Sequence, residues 1–313
     1  MEYSKIKNTD LNVSRICMGG CPMGGYGWGA VQEAELIDAV QTALDNGINF
    51  FDTADTYGLG QSEITLGKAL GDRRKDAVIA TKFGVRAGNG KTFYDNSPEY
   101  IEQALDASLK RLDTDYIDLY QVHYRDGVTP ISVVAETLER MKEAGKIRYY
   151  GLSNISMKDY EELAPYKGRF VSFQDEYSLA CRKNESDMLD LSEKLCMTPL
   201  TWGSLGQGIL TGKYDKTNVN FDSSDRRSRD IYVNFHGEKL LKNLEIVETM
   251  RPIAIAHNKS VAAVAIRFIL DHIPDSIVLC GAKRPAQILS NAEGSDWKLT
   301  SEEIHELDEV SRD

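Results

Sequence analysis

The sequence predicts an α/β fold of the (β/α)8 TIM-barrel class, on three observations. Short β-rich runs alternate with helical patterns almost from end to end, the order expected of parallel strands joined by crossover helices. Eight such units fit a chain of 313 residues, a length usual for closed barrels. No Gly-rich dinucleotide fingerprint follows any strand, which weighs against an open doubly wound sheet.

The strands are read in order at 16–18, 50–51, 77–81, 116–122, 147–152, 170–173, 197–202 and 276–279. Between them Ala34, Leu36, Ile37, Val40, Ala43 and Leu44 recur at helical spacing, as do Ile101, Ala104, Leu105, Ser108, Leu109 and Leu112, so each segment is a one-sided helix suited to packing on a barrel. Three decorations are expected. Residues 1–15 form a β-hairpin capping the barrel bottom, with Asn8-Thr9-Asp10 as its turn. Residues 204–237 form a long polar loop after the seventh strand. The tail from Thr300 begins with a capping-box pattern and reads as a final helix. Without a linker, repeat or low-complexity tract, residues 1–313 are read as one barrel domain.

A hydrophobic content of 42% and a charged content of 27% describe an ordinary soluble globular chain. The net charge of -11 argues against nucleic acid and gives no support for an anionic membrane surface. Cys17, Cys21, Cys181, Cys196 and Cys280 lack paired spacing and are read as buried thiols in a reducing cytosol. With no basic-then-apolar leader at the start and no long apolar run, the expected location is the cytoplasm. No metal is indicated, since His123, His236, His257, His272 and His305 show no close ligand pairing.

In such a barrel, residues just past strand C-termini face the active site. Strand two supplies Asp52 and Tyr57, strand three Lys82, and strand four His123. Carboxylate, phenol, ammonium and imidazole together suit proton transfer. Lys82 is expected to favour the phenolate of Tyr57 and lower its pKa, with Asp52 holding the lysine charged and oriented. Strands five to seven supply Ser153, Asn154, Gln174 and Trp202, paired donors and acceptors beside an aromatic face, which suit a nicotinamide carboxamide and ring. Ser-Asn after a strand is also an ordinary helix cap. After strand eight, Gly281, Lys283, Arg284, Gln287 and Asn291 stand around a helix start where a phosphate could bind.

Taken together these residues resemble the aldo-keto reductase family over nearly the whole chain. The resemblance rests on residues 47–67 with Asp52, Tyr57 and Glu63-Ile64-Thr65-Leu66-Gly67, on Ala80-Thr81-Lys82-Phe83, and on Gln121-Val122-His123. Gly151-Leu152-Ser153-Asn154, Gln174 with Tyr177-Ser178, residues 210–214 and residues 281–291 follow in the family's order. It implies NADPH or NADP+ extended across the barrel top, with NADH less favoured, and a small carbonyl or alcohol substrate. Tyr57 would be the general acid, Lys82 and Asp52 its tuners, and His123 a substrate orienter or proton partner. Ser153, Asn154 and Gln174 would hold the carboxamide, and Trp202 would stack on the ring. Gly20, Cys21, Ser204, Leu205, Gln207 and Gly208 would contact the cofactor chiefly through backbone, with Asp52, Gly203, Lys213 and Gly281 in the same set. Lys283 and Arg284 would take the adenosine 2′-phosphate, and Gln287 and Asn291 the adenine side.

The nearest branch by resemblance holds bacterial reductases and potassium-channel β subunits, so a slowly turning NADPH-binding regulatory subunit is the alternative. A glycoside hydrolase using Asp52 is a further, disfavoured class. Cys21 and Ser290 depart from the family pattern. Tyr26, Trp28 and Tyr124, with the 204–237 loop, are the expected substrate rim. Monomer is the default state.

Overall fold

The computed structural model describes residues 1–25, 27–88 and 91–312. Its strands are β1 (Tyr3–Lys5), β2 (Asn12–Ser14), β3 (Ile16–Gly19), β4 (Phe50–Asp52), β5 (Val78–Phe83), β6 (Val85–Gly88), β7 (Lys91–Tyr94), β8 (Ile117–Val122), β9 (Ile147–Ser153), β10 (Phe170–Glu176), β11 (Thr198–Trp202) and β12 (Ile277–Gly281). The helices are α1 (Glu33–Asp45), α2 (Gln61–Leu70), α3 (Pro98–Leu112), α4 (Ile131–Glu143), α5 (Tyr160–Leu163), α6 (Glu185–Lys194), α7 (Gly237–Ala256), α8 (Val261–His272), α9 (Pro285–Ala292) and α10 (Ser301–Ser311).

Eight parallel strands close on themselves in the order β3-β4-β5-β8-β9-β10-β11-β12 and back to β3. This is the (β/α)8 barrel expected from the sequence. Its interior is packed: Cys17, Phe50, Ala80, Leu119, Val171, Leu200, Ile277 and Leu279 fill it, and Ile6, Leu11 and Val13 plug it from below. Val13 comes from β2, and Ile6 and Leu11 from the turn joining it to its antiparallel partner β1, so the N-terminal hairpin closes the end of the barrel opposite the site. Helices α1 and α3 present Leu36, Ala39, Val40, Ala43, Ile101, Leu105 and Leu112 to the outer face of the strands, as their spacing requires.

Helix ends follow local chemistry. Ser97 caps α3 with its side chain on the Tyr100 amide and Pro98 at the first turn. Thr300 and Glu303 form a reciprocal capping box at α10.

One element was not anticipated. Strands β6 (Val85–Gly88) and β7 (Lys91–Tyr94) pair as an antiparallel ribbon on the rim after β5. Its residues are largely exposed and supply few core contacts, so periodicity gave no signal for it. The segment after β11 carries only short 3-10 turns at 206–211, 226–228 and 233–235 before α7, matching the long loop expected there. Among the described residues no single helix is long and apolar enough to cross a membrane.

Candidate active site

The C-terminal ends of the barrel strands open into one cavity of about 620 Å³. Strand register sets its floor. Asp52 pairs with Gly19 and Ala80, Lys82 with Gln121, and Gln174 with Ser153, so inward side chains of neighbouring strands meet. Asp52 Oδ1 accepts from Lys82 Nζ at 2.5 Å, while Oδ2 accepts from Gln174 Nε2 at 2.9 Å and Gln121 Nε2 at 3.2 Å. Lys82 Nζ also donates to the Thr53 carbonyl at 3.0 Å and to Tyr57 Oη at 3.3 Å, which engages all three of its protons. Gln121 was not singled out as a site residue, because a glutamine inside an apolar strand carries no distinctive pattern.

The loop that carries Tyr57 is braced from two sides. Thr53 Oγ1 donates to Ser62 Oγ, which donates to the Gly20 carbonyl, both at 2.8 Å. Gly58 has φ +63°, and a Cβ built there would lie 2.1 Å from the Gly24 carbonyl oxygen. Only glycine lets the first loop and the tyrosine loop approach so closely.

Electrostatics correct one expectation. Burial pushes the Tyr57 phenol well above its ordinary value, with Cys21 and Asp52 adding in the same sense. Lys82 does not reverse this, because its charge is met at close range by Asp52. The hydroxyl therefore stands protonated, as a donor rather than a phenolate. Burial, and then the Lys82 charge, hold the His123 imidazole well below its usual pKa, so it is neutral at pH 7. Its ring meets Tyr57 edge-on at 5.8 Å between centroids.

Farther along the cavity, the buried Ser153 Oγ and Asn291 Nδ2 have no hydrogen-bond partner. Orphaned buried polar atoms lining a cavity are groups that a ligand can satisfy. Asn154 is placed by its backbone N–H on the Gln174 carbonyl at 2.8 Å and by Nδ2 on the His123 carbonyl at 2.9 Å. Gln174 commits its amide nitrogen to Asp52, so it serves the floor as well as the cavity. Trp202, Gly203, Ser204, Leu205, Gln207, Gly208 and Lys213 all line the wall, as do Gly20, Cys21 and Gly281.

The far end is basic. Lys283, Arg284, Lys213, Arg226 and Arg227 line it, with Gln287 and Asn291 beside them. Lys283 Nζ donates to the Trp28 carbonyl at 2.6 Å, and Gln287 Oε1 accepts from the Lys283 amide at 2.8 Å. Burial and the charges of Arg227, Lys213 and Arg284 pull the Lys283 ammonium below its ordinary pKa. Arg227 is paired with Asp225 and Arg284 with Glu35, yet the cluster is strongly basic for a chain of net charge -11, an electrostatic setting suited to an anion. Arg226 and Arg227 were missed individually, although the polar loop carrying them was noted; two consecutive arginines in it were the available signal.

On the rim beside His123, Tyr124 stacks between His123 (5.2 Å) and Tyr94 (5.1 Å). Trp28 meets Tyr232 edge-on at 6.0 Å. Tyr26 lies outside the described residues. Tyr94 and Tyr232 reach the rim from the β6–β7 ribbon and the long loop, so neither follows from strand-end counting.

Residues 15–312 match the model of the Aldo/keto reductase family. Aldo-keto reductase YhdN of Bacillus subtilis is 36% identical over 316 residues, covering 99% of this chain and 93% of that protein. Aldo-keto reductase yakc [NADP(+)] of Schizosaccharomyces pombe is 34% identical, covering 93% of this chain and 86% of its own. The structure of a glycerol dehydrogenase from Gluconobacter oxydans superposes with a TM-score of 0.87 at 34% identity, over 98% of this chain and 94% of that one. The chain belongs to the aldo/keto reductase family.

Proposed function

We propose that this protein is an NADP(H)-dependent oxidoreductase that interconverts aldehydes or ketones with alcohols, with Tyr57 as the acid that protonates the substrate oxygen in reduction. The observation that carries this is the contact chain Asp52–Lys82–Tyr57 at the floor of a cavity whose other end is basic. The name of the fission-yeast relative includes NADP(+), which supports the same cofactor here.

The residues present fit a dinucleotide. Ser153 and Asn291 offer orphaned polar atoms, Ser153 and Asn154 would hold the carboxamide, and Trp202 offers a flat face to the nicotinamide. Lys283, Arg284 and Arg227 would meet the phosphates. When bound, the nicotinamide supplies or accepts the hydrogen and electron pair exchanged with the substrate carbon.

The chain's own residues handle the oxygen. As charge develops there, the Tyr57 hydroxyl donates its proton, and Lys82 beside it stabilises the phenolate left behind. Asp52 keeps the ammonium aimed at Tyr57 Oη. Neutral His123 can donate or accept one hydrogen bond to the same oxygen and orient the carbonyl. The aromatic rim of Trp28 and Tyr124 would receive the remainder of the substrate.

The experiment is NADPH oxidation, followed by absorbance, with aromatic aldehydes, methylglyoxal and aldoses. Tyr57→Phe should lower turnover by about 10² to 10⁴ while leaving NADPH affinity near wild type. Full turnover in Tyr57→Phe would refute the acid assignment. Tight NADPH binding without oxidation would replace the enzyme by a cofactor-sensing subunit.

A further inference from the structure

Asn243, on α7, is wholly shielded from solvent, and Asn234, in the loop leading to that helix, is nearly so. Buried amides cost free energy unless they are hydrogen-bonded. Asn243 Nδ2 donates to both the backbone carbonyl and Oδ1 of Asn234, each at 3.1 Å. Asn234 Nδ2 donates in turn to Gln207 Oε1 at 2.6 Å, and Gln207 Nε2 points to Glu176 Oε1 at 3.5 Å. A row of side-chain amides thus runs from a buried helix to the cavity wall, where Gln207 stands.

The backbone at the end of this row is unusual. Gly206, Gln207 and Gly208 are consecutive left-handed residues, with φ of 54°, 55° and 104°. Glycine adopts that region freely, whereas a glutamine does so at a cost that surrounding contacts must offset. The side-chain clamp supplies such contacts. It also fixes the amide's orientation, since a flipped Gln207 would turn its oxygen toward the Glu176 carboxylate and its NH2 toward the NH2 of Asn234.

We propose that Asn234 is a positioning residue: held by Asn243, it locks Gln207 in the left-handed conformation and thereby pre-shapes the 206–208 turn for the dinucleotide. This rests on the cofactor reading above. Asn234 is not among the residues lining the cavity, so its effect passes through Gln207.

The test is a set of NADPH titrations by fluorescence on wild type, Asn234→Asp, Gln207→Gly and the double variant, each with a urea melt and steady-state kinetics. Asn234→Asp keeps the size and the acceptors but loses the NH2 donor. It should weaken NADPH binding about three- to tenfold, the worth of one buried hydrogen bond, and raise the KM for NADPH with kcat at saturation near wild type. In the Gln207→Gly background the left-handed cost is gone, so adding Asn234→Asp should change NADPH affinity no further. Unchanged affinity in the folded single variant, or equal losses in both backgrounds, would overturn the proposal. A wild type that binds no NADPH would sink the cofactor reading itself, and this inference with it.

Discussion

Lys82 Nζ and Asp52 Oδ1 meet at 2.5 Å with side chains only 1% and 3% exposed, which makes them a buried ion pair on neighbouring strands. Removing one member of such a pair leaves an uncompensated charge in a low-dielectric site. Lys82→Met should therefore destabilise the protein by about 3 kcal/mol, toward the lower end of the usual range because Gln121 and Gln174 still donate to Asp52. Adding Asp52→Asn should recover much of that stability without recovering turnover. Urea unfolding of the two single variants and the double variant measures the first effect, and NADPH oxidation the second.

Asp55 gives a pH prediction with a definite sign. Burial, and then the charge of Glu63, push its carboxyl up to about 7, while Tyr100 Oη donates to it at 3.2 Å. The folded pKa lies above the unfolded value of about 3.9, so between the two the folded chain holds a proton that the unfolded chain has lost. This contribution is full below the unfolded pKa and is lost as pH rises through about 7. Asp55→Asn should raise Tm relative to wild type at pH 8, with the advantage disappearing near pH 4, in thermal melts across that range.

His123 acts in the opposite sense. Its folded pKa is depressed, so its contribution is present above the unfolded value of about 6.5 and declines as pH falls below it. A His123→Asn variant should lose less stability than wild type between about pH 6.5 and 5. The same melts decide this.

Gly58→Ala would place a methyl 2.1 Å from the Gly24 carbonyl at a position with φ +63°. The left-handed conformation alone costs about 1 to 3 kcal/mol, and the clash in addition forces the Gly24 backbone and the loop carrying Tyr57 apart. Turnover should fall more than NADPH affinity does, as paired kinetics and titration would register.

Lys283 lies in the basic end of the cavity and holds the Trp28 carbonyl. Lys283→Met should weaken NADPH by about tenfold or more and NADH by less, and should flatten the salt dependence of NADPH binding. Equal losses for both nucleotides would assign Lys283 to the shared pyrophosphate or to structure alone.

The barrel itself was legible from residue order. Strand-length apolar runs alternating with 3.6-residue periodicity leave few other architectures, and the Asn8-Thr9-Asp10 turn within residues 1–15 already implied a capping hairpin, whereas the plug formed by Ile6, Leu11 and Val13 emerged only in the structure. Asp52, Tyr57, Lys82 and His123 were legible because barrel geometry places strand ends in one cleft, whatever the distance along the chain. The β6–β7 ribbon was not, since exposed residues leave no periodic pattern, and with it Tyr94 went unnoticed.

Sequence by itself determined which chemistry stands at the strand ends, because strand alternation and order are local properties that a closed barrel converts directly into position. Tertiary structure alone decided how those groups share their hydrogen bonds and charge. The protonated state of Tyr57, the partnership of Gln121 and Gln174 with Asp52, and the amide row from Asn243 to Gln207 all depend on burial and on contacts between distant segments. Desolvation and hydrogen-bond competition are set by three-dimensional neighbours, and no spacing along the chain encodes them.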